Sequence, residues 1–160
     1  MEIKYLADCP QHLHEVSNWL YEEWGAWYEN SSREKRLNKL KNKLNKKEVP
    51  TVFVTVIDET PVGTASLVKY DMQTKENLTP WLASVYVKKE FRRRGIGSQL
   101  VQRVTKEARD IGFEEIYLFT PDKKDFYLNL NWKFYRKGVH KDLEVDIMSK
   151  ELDKLDTGGK

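Results

Sequence analysis

Residues 85–100 read VYVKKEFRRRGIGSQL, and their order constrains the rest of the chain. Five of the seven residues from Lys88 to Arg94 are basic; Gly95-Ile96-Gly97-Ser98 follow, and then the apolar Leu100. Three readings fit the charge alone: a nucleic-acid arm, a solvated loop, or a cradle for one anion. A strand, a basic loop, Gly-x-Gly and a helix, in that order, favour the cradle. The first N–H groups of a helix have no intrahelical partner, and the helix dipole places about half a positive charge there. Glycines let an anion approach the backbone, and arginines add charge-assisted hydrogen bonds. Phosphate or pyrophosphate suits such a site.

The flanks supply the elements this reading needs. WLASVYV (81–87) is apolar on both faces apart from Ser84 and Tyr86, as a central strand would be. From Ile96 to about Ile111 the apolar residues recur at helical spacing, and Gly112 stops the run. Upstream, EIKYLA (2–7) reads as a short strand, followed by a helix from Cys9-Pro10 to about Trp24 that Gly25 ends. A second helix is expected from Ser31 or Ser32, its caps, to about Lys47. TVFVTVI (51–57) and TASLVKY (64–70) form a hairpin across DETPVG. Downstream come a strand at 115–120, a short helix over 122–130 capped by Asp122, and a terminal hairpin across Gly138. With no internal repeat or linker, the expectation is one α+β domain over 1–152, with 153–160 a disordered tail.

Composition narrows the function. The chain has 160 residues, 39% hydrophobic and 12% aromatic, so it can bury one core and is not generally disordered. A net charge of +3 is too small to imply nucleic-acid or membrane affinity without clustering. Cys9 is the only cysteine, which excludes a disulfide framework and a multi-cysteine zinc site. The N-terminus lacks the pattern of a signal peptide, and no apolar run approaches the roughly 20 residues of a membrane span. A cytoplasmic location is the expectation.

Two common anion motifs fail here. A P-loop needs Lys-Ser or Lys-Thr after its glycines, and a dinucleotide fingerprint needs a third Gly or Ala where Leu100 stands. Arg92-Arg93-Arg94-Gly95-Ile96-Gly97 instead matches R/Q-x-x-G-x-G/A, and in this context resembles the acetyl-CoA motif of the GNAT superfamily of N-acetyltransferases. PVGTASLV, DFYLNLNWKFYRK (125–137) and VDIMSKEL resemble further segments of that family in the expected order, from about Thr51 to Leu152. Lys89 replaces a proline frequent after the central strand, and Asn131 stands where Gly is usual. YEEWG, SLVKYDM and TPWLASVYV look like a bacterial subgroup of uncertain substrate.

The resemblance implies a GNAT fold of the α/β sandwich type, with a central, mixed, strongly twisted sheet of about six or seven strands and about four helices. It implies acetyl-CoA as cosubstrate and no metal. The backbone of Val85, Tyr86 and Val87 would hold pantetheine. Arg92, Arg93, Arg94, Gly95, Ile96, Gly97 and Ser98 would hold the pyrophosphate. Tyr127 matches the family tyrosine that protonates the leaving thiolate; read without the resemblance, it is a packing aromatic beside Phe126.

The acceptor side is less defined. Glu22, Glu23, Asp71, Ser84 and Glu144 are candidate bases, with water an equal alternative. YEEWGAWYEN (21–30) lies where the family builds its acceptor pocket, and Glu22, Trp24, Asp71 and Ser84 are the candidate substrate contacts. An acidic rim over 22–29 would favour cationic acceptors such as polyamines, aminoglycosides or lysine-containing peptides. His12, His14 and His140 are expected to be solvent-exposed rather than metal ligands, and Cys9 to be a buried thiol. Residues 33–47 carry eight Lys/Arg against one Glu, read as a solvated face. Nucleic acid is a minor alternative partner and a membrane is not expected; exposed terminal strands could pair a homodimer. The function expected is acetyl transfer to a primary amine, small or peptidic; the alternative is a non-catalytic acyl-CoA-binding regulatory module.

Overall fold

The computed structural model describes residues 1–153. Strand β1 (Glu2–Tyr5) leads through two 3-10 turns into helix α1 (Leu13–Trp24), and α2 (Arg33–Lys41) follows. Strands β2 (Thr51–Ile57), β3 (Thr60–Val68) and β4 (Trp81–Val87) precede helix α3 (Ile96–Ile111). Strand β5 (Glu115–Thr120), helix α4 (Lys124–Leu128) and strands β6 (Lys133–His140) and β7 (Leu143–Glu151) complete the chain. One seven-stranded sheet has the order β1-β2-β3-β4-β5-β7-β6. Every neighbouring pair is antiparallel except β4 and β5, which run parallel. This is the mixed sheet with four helices that the GNAT resemblance implies.

Alternation along the strands separates two cores. Phe53, Ala65, Leu67, Leu82, Ile116, Leu118 and Met148 face α3, whose Ile96, Leu100, Val101, Val104 and Ala108 are buried against them. Val52, Val54 and Val56 face the other way, onto Val16, Trp19 and Leu20 of α1 and Leu40 of α2. Beside them on that face, Trp81, Ala83, Tyr117 and Ile147 pack under Met72 and Leu78 of the β3–β4 loop. Burying both faces is why β2 and β3 are apolar almost throughout.

Several boundaries differ from the sequence reading. Helix α2 is capped by Ser32, whose Oγ accepts from the Lys35 N–H at 3.1 Å, but it ends at Lys41 rather than Lys47. Residues 42–50 are held by longer-range bonds: Thr51 Oγ1 donates to the Asn45 carbonyl, Asn45 Nδ2 to the Pro50 carbonyl, and Lys47 N–H to Glu107. The β2–β3 turn is the two residues Asp58-Glu59, both at positive φ, so β3 begins at Thr60. The last hairpin likewise turns at Lys141-Asp142, and Gly138 lies inside β6. A Cβ on Gly138 would sit 3.0 Å from Ile147 Cδ1, so this glycine serves strand packing rather than a turn. Asp122 caps nothing; Thr120 Oγ1 accepts from the Asp122 and Lys123 N–H groups instead. Of the tail expected to be disordered, 154–160 lie outside the described residues.

Candidate active site

The candidate anion cradle lies where β4 ends. Arg93 and Gly95 both take positive φ (66° and 79°), which turns the chain sharply into α3. Gly95 caps the helix without a side-chain hydrogen bond, and the first amide paired across the cap is Gln99, at 3.1 Å to the Gly95 carbonyl. Among the described residues, the N–H groups of Ile96, Gly97 and Ser98 have no backbone partner. They make a donor set at a helix dipole's positive end. The arginines divide. Arg92 turns back, its Nε donating to the Val87 carbonyl at 2.8 Å and its guanidinium 5.6 Å from the Tyr86 ring. Arg94 lies 5.1 Å from the Phe91 ring, and Arg93 is exposed.

Beside the cradle the sheet opens. β4 and β5 pair only at Trp81–Tyr117, at the start of β4. A bulge causes the divergence: Thr64 pairs with Tyr86 and Ser66 with Ala83, so Ala65 faces both Ser84 and Val85. Ser84 is the extra residue and sits at φ 55°, a conformation an L-residue adopts at a cost of about 1 kcal/mol or more. Beyond Ala83 the β5-facing backbone edge of β4 therefore lacks a strand partner. Val85 and Val87 lean toward α3, and Tyr86 toward α1.

Helix α4 and α3 border this opening. A Cβ on Gly97 would lie 3.7 Å from Phe126 Cζ and 3.8 Å from Val87 Cγ2, which are ordinary contacts. The protein's own packing does not demand glycine there, but a ligand threading between β4 and α3 would. Tyr127 is 8% exposed, edge-on to Phe126 and Trp132, and its hydroxyl has no hydrogen-bond partner among the described residues. Burial pushes its phenol well above the ordinary value of 10, so it stays protonated at neutral pH.

On the opposite face of β4 the acceptor candidates separate into three places. Trp24 packs edge-on against Tyr86 with ring centroids at 6.5 Å, and Trp19 covers the same ring at 5.5 Å. Ser84 lies in the bulge on the same strand. Glu22 instead points outward and pairs with Arg33 at 3.6 Å. Asp71 joins a third group: burial raises its carboxyl from 3.8 to about 6, against the pull of Lys43 and Arg36. Burial also raises Tyr28, with Asp71's charge adding to it, and lowers Lys43.

Of the expected acidic rim, Glu22, Glu23 and Glu29 are exposed and Glu22 is paired with Arg33, while cations gather nearby. Around Tyr28 stand Arg36 at 5.6 Å, Lys39 at 5.5 Å and Lys141 at 5.1 Å from the ring centroid. The lysine-rich helix is thus not wholly a solvated face. His140 is also not simply exposed: its ring lies 4.6 Å from Phe119 and 6.4 Å from Tyr28, and its Nε2 is sealed from solvent without a partner. Lys39, Lys141, His140 and Phe119 come from α2, the β6–β7 turn, β6 and β5, so no local pattern marked them. His12 is partly buried and His14 exposed, and Cys9 is a buried free thiol as expected. Among the described residues no group of three or more His, Cys, Asp or Glu could hold a metal, and no helix is long and apolar enough to cross a membrane.

Comparison with known proteins agrees with the fold. The model of the Acetyltransferase (GNAT) family matches residues 13–138. No curated protein sequence matches the chain. Among solved structures, an aminoglycoside 6'-N-acetyltransferase complexed with coenzyme A superposes with a TM-score of 0.76 at 18% identity, covering 98% of this chain and 99% of its own. The yncA protein of Salmonella typhimurium, solved with its cofactor acetyl-CoA, gives 0.69 at 19%, covering 99% and 98%. A ribosomal-protein-alanine N-acetyltransferase from Brucella melitensis gives 0.69 at 22%, covering 95% and 100%. At these identities the structures show a shared fold.

Proposed function

The chain belongs to the Acetyltransferase (GNAT) family, and from that premise we propose that it moves an acetyl group from acetyl-CoA to a primary amine. The observation that carries this reading is the conjunction at the open end of β4. An unpaired strand edge and unpartnered helix amides meet where Val87, Gly97 and Phe126 approach one another, and the protonated phenol of Tyr127 follows Phe126 on α4.

Acetyl-CoA supplies the acetyl group as a thioester. The free edge of Val85, Tyr86 and Val87 hydrogen-bonds the pantetheine amides as a neighbouring strand would, with Arg92 fixing the strand's end through Val87. The amides from Arg93 to Ser98, with Arg93 and Arg94, receive the pyrophosphate. Binding on one face of the gap leaves the other, bordered by Trp24, Tyr86 and Ser84, for the amine. Its nitrogen must arrive unprotonated; it bonds to the acetyl carbon as the carbon–sulfur bond breaks. The departing thiolate takes the Tyr127 proton. Burial penalises thiolate and phenolate alike, so the proton moves between two groups disfavoured by the same surroundings. The nitrogen's surplus proton leaves through water, and solvent returns one to Tyr127; Asp71, ionised above about pH 6, stands apart in the Tyr28 group. Glu22, committed to Arg33, has no part in this scheme.

The test is thiol release from acetyl-CoA against a panel of small amines, peptides and aminoglycosides. Tyr127→Phe should lower kcat about a hundredfold while leaving CoA affinity within about twofold. Unchanged turnover would remove Tyr127 from the mechanism. CoA binding without thiol release for any amine would leave a non-catalytic module as the better description.

A further inference from the structure

The basic surface over Tyr28 belongs to no step above. Residues 28–31 with Lys35, Arg36 and Lys39 line a cleft of about 120 Å³. Tyr28 forms one wall, and three cations from two elements, Arg36 and Lys39 of α2 and Lys141 of the β6–β7 turn, stand 5.1–5.6 Å from its ring centroid. Lys35 is occupied, its Nζ donating to the Asn30 carbonyl at 2.7 Å. Among the described residues, Arg36, Lys39, Lys43 and Lys141 have neither an ion pair nor a side-chain hydrogen bond, whereas Arg33 pairs with Glu22 and Lys46 with Asp8. Acidic groups here include Glu29, which is exposed and lines the cleft, and Asp71, whose carboxyl burial raises to about 6 against the pull of Lys43 and Arg36. Three cations without ion pairs around one ring favour a negatively charged partner.

Packed aromatic rings lead from the cleft toward β5. Tyr28 meets His140 edge-on, and His140 lies on Phe119 of β5, the strand from which β4 diverges. His140 Nε2 is buried between them without a partner. An acceptor with its amine at the open end of β4 can lay its far end along these rings onto the cations.

Resting on the acetyltransferase reading, we infer that the cleft over Tyr28 binds an anionic group, a carboxylate or a phosphate, carried by the acceptor several bonds from the amine that is acetylated. The acceptor class is an acid-bearing amine, opposite in sign to the cationic acceptors an acidic rim would select. Arg36 offers two parallel donors to such a group, and Lys39 and Lys141 offer point charges.

The experiment uses the full chain, acetyl-CoA and matched acceptor sets. One set holds ω-amino acids of graded length, their terminal amides and the corresponding diamines. A second holds tripeptides with Asp, Asn or Lys as second residue; ω-aminoalkyl phosphates distinguish phosphate from carboxylate. The acid-bearing member of a set should exceed its amide in kcat/KM by about ten- to a hundredfold. In Arg36→Ala/Lys39→Ala/Lys141→Ala that ratio should collapse toward one, and Lys39→Glu alone should lower it several-fold. Equal or better use of amides or diamines, survival of the acid preference in the triple variant, or no turnover of any acid-bearing amine overturns the inference. CoA affinity, measured by calorimetry on each variant, keeps the two readings apart. If CoA binds and acids are not preferred, only the anionic cleft falls; if CoA does not bind, the acetyltransferase reading falls.

Discussion

Asp71 shows how much one residue's surroundings can change its chemistry. In sequence it is an acid in a polar loop, SLVKYDM, with nothing to distinguish it from Asp58 or Asp122. Folded, burial lifts its carboxyl from 3.8 to about 6 although Lys43 and Arg36 oppose the shift. The native state then holds this proton more tightly than the unfolded chain. Its contribution is fully present below about pH 4, declines as pH rises to about 6, and is absent above. With about 1.4 kcal/mol per pH unit, up to about 3 kcal/mol is at stake. Asp71→Asn has no such titration, so relative to the parent it should gain up to about 3 kcal/mol between pH 4 and pH 8. Urea denaturation at the two pH values measures this, and a constant difference would mean Asp71 is not desolvated. Tyr127 follows the same logic: its position was legible from the Phe-Tyr pair in 125–137, but its raised phenol depends on Phe126 and Trp132 closing over it.

At the scale of elements, helix α3 was readable to the residue, whereas α1 starts at Leu13, after a 3-10 turn over Pro10–His12, rather than at Cys9-Pro10. Helix α3 runs Ile96–Ile111 as its apolar spacing requires, and Gly112 closes it in a left-handed conformation. Strands β4 and β5 also match their sequence limits, because Pro80 and Pro121 bound them. Where non-local bonds decide, sequence spacing misleads: α2 keeps helical periodicity to Leu44, yet Glu107 and Thr51 hold residues 42–50 in another path. The Ser84 bulge has no local signal either, since ASVY reads as uninterrupted strand. The two ends of α3 offer a controlled comparison. Gly95 and Gly112 both have positive φ and open space around a built Cβ. Alanine at either should cost about 1 kcal/mol in stability. Only Gly95→Ala, at the amide-bearing end, should weaken CoA binding, by about tenfold or more. Equal CoA affinities in the two variants would separate that helix end from the cosubstrate.

At the scale of the whole molecule, Glu107 joins parts distant in sequence. It is 3% exposed and accepts from the Tyr5 hydroxyl at 2.8 and 2.9 Å, Arg103 at 3.1 Å and the Lys47 N–H at 3.0 Å. Strand β1, helix α3 and the 42–50 segment thus meet on one carboxylate. Removing it leaves buried donors without acceptors, so Glu107→Ala should cost about 3 kcal/mol, and Glu107→Gln, which retains an oxygen, distinctly less. Hydrogen exchange at the Lys47 amide should rise in both. A loss under 1 kcal/mol for alanine would mean water replaces the carboxylate.

The sequence by itself determined the order and kind of the elements, the basic, glycine-rich start of α3, the family resemblance and the position of Tyr127. Each of these is written in contiguous residues, because periodicity, glycine placement and short motifs act over a few positions. Only the tertiary structure decided that β4 parts from β5 at a bulge, that Arg92 turns back to Val87 while Glu22 turns away to Arg33, and that cations rather than acids gather over Tyr28. Those outcomes depend on which side chains meet across the sheet and what burial does to their charge, and chain neighbours do not encode either one.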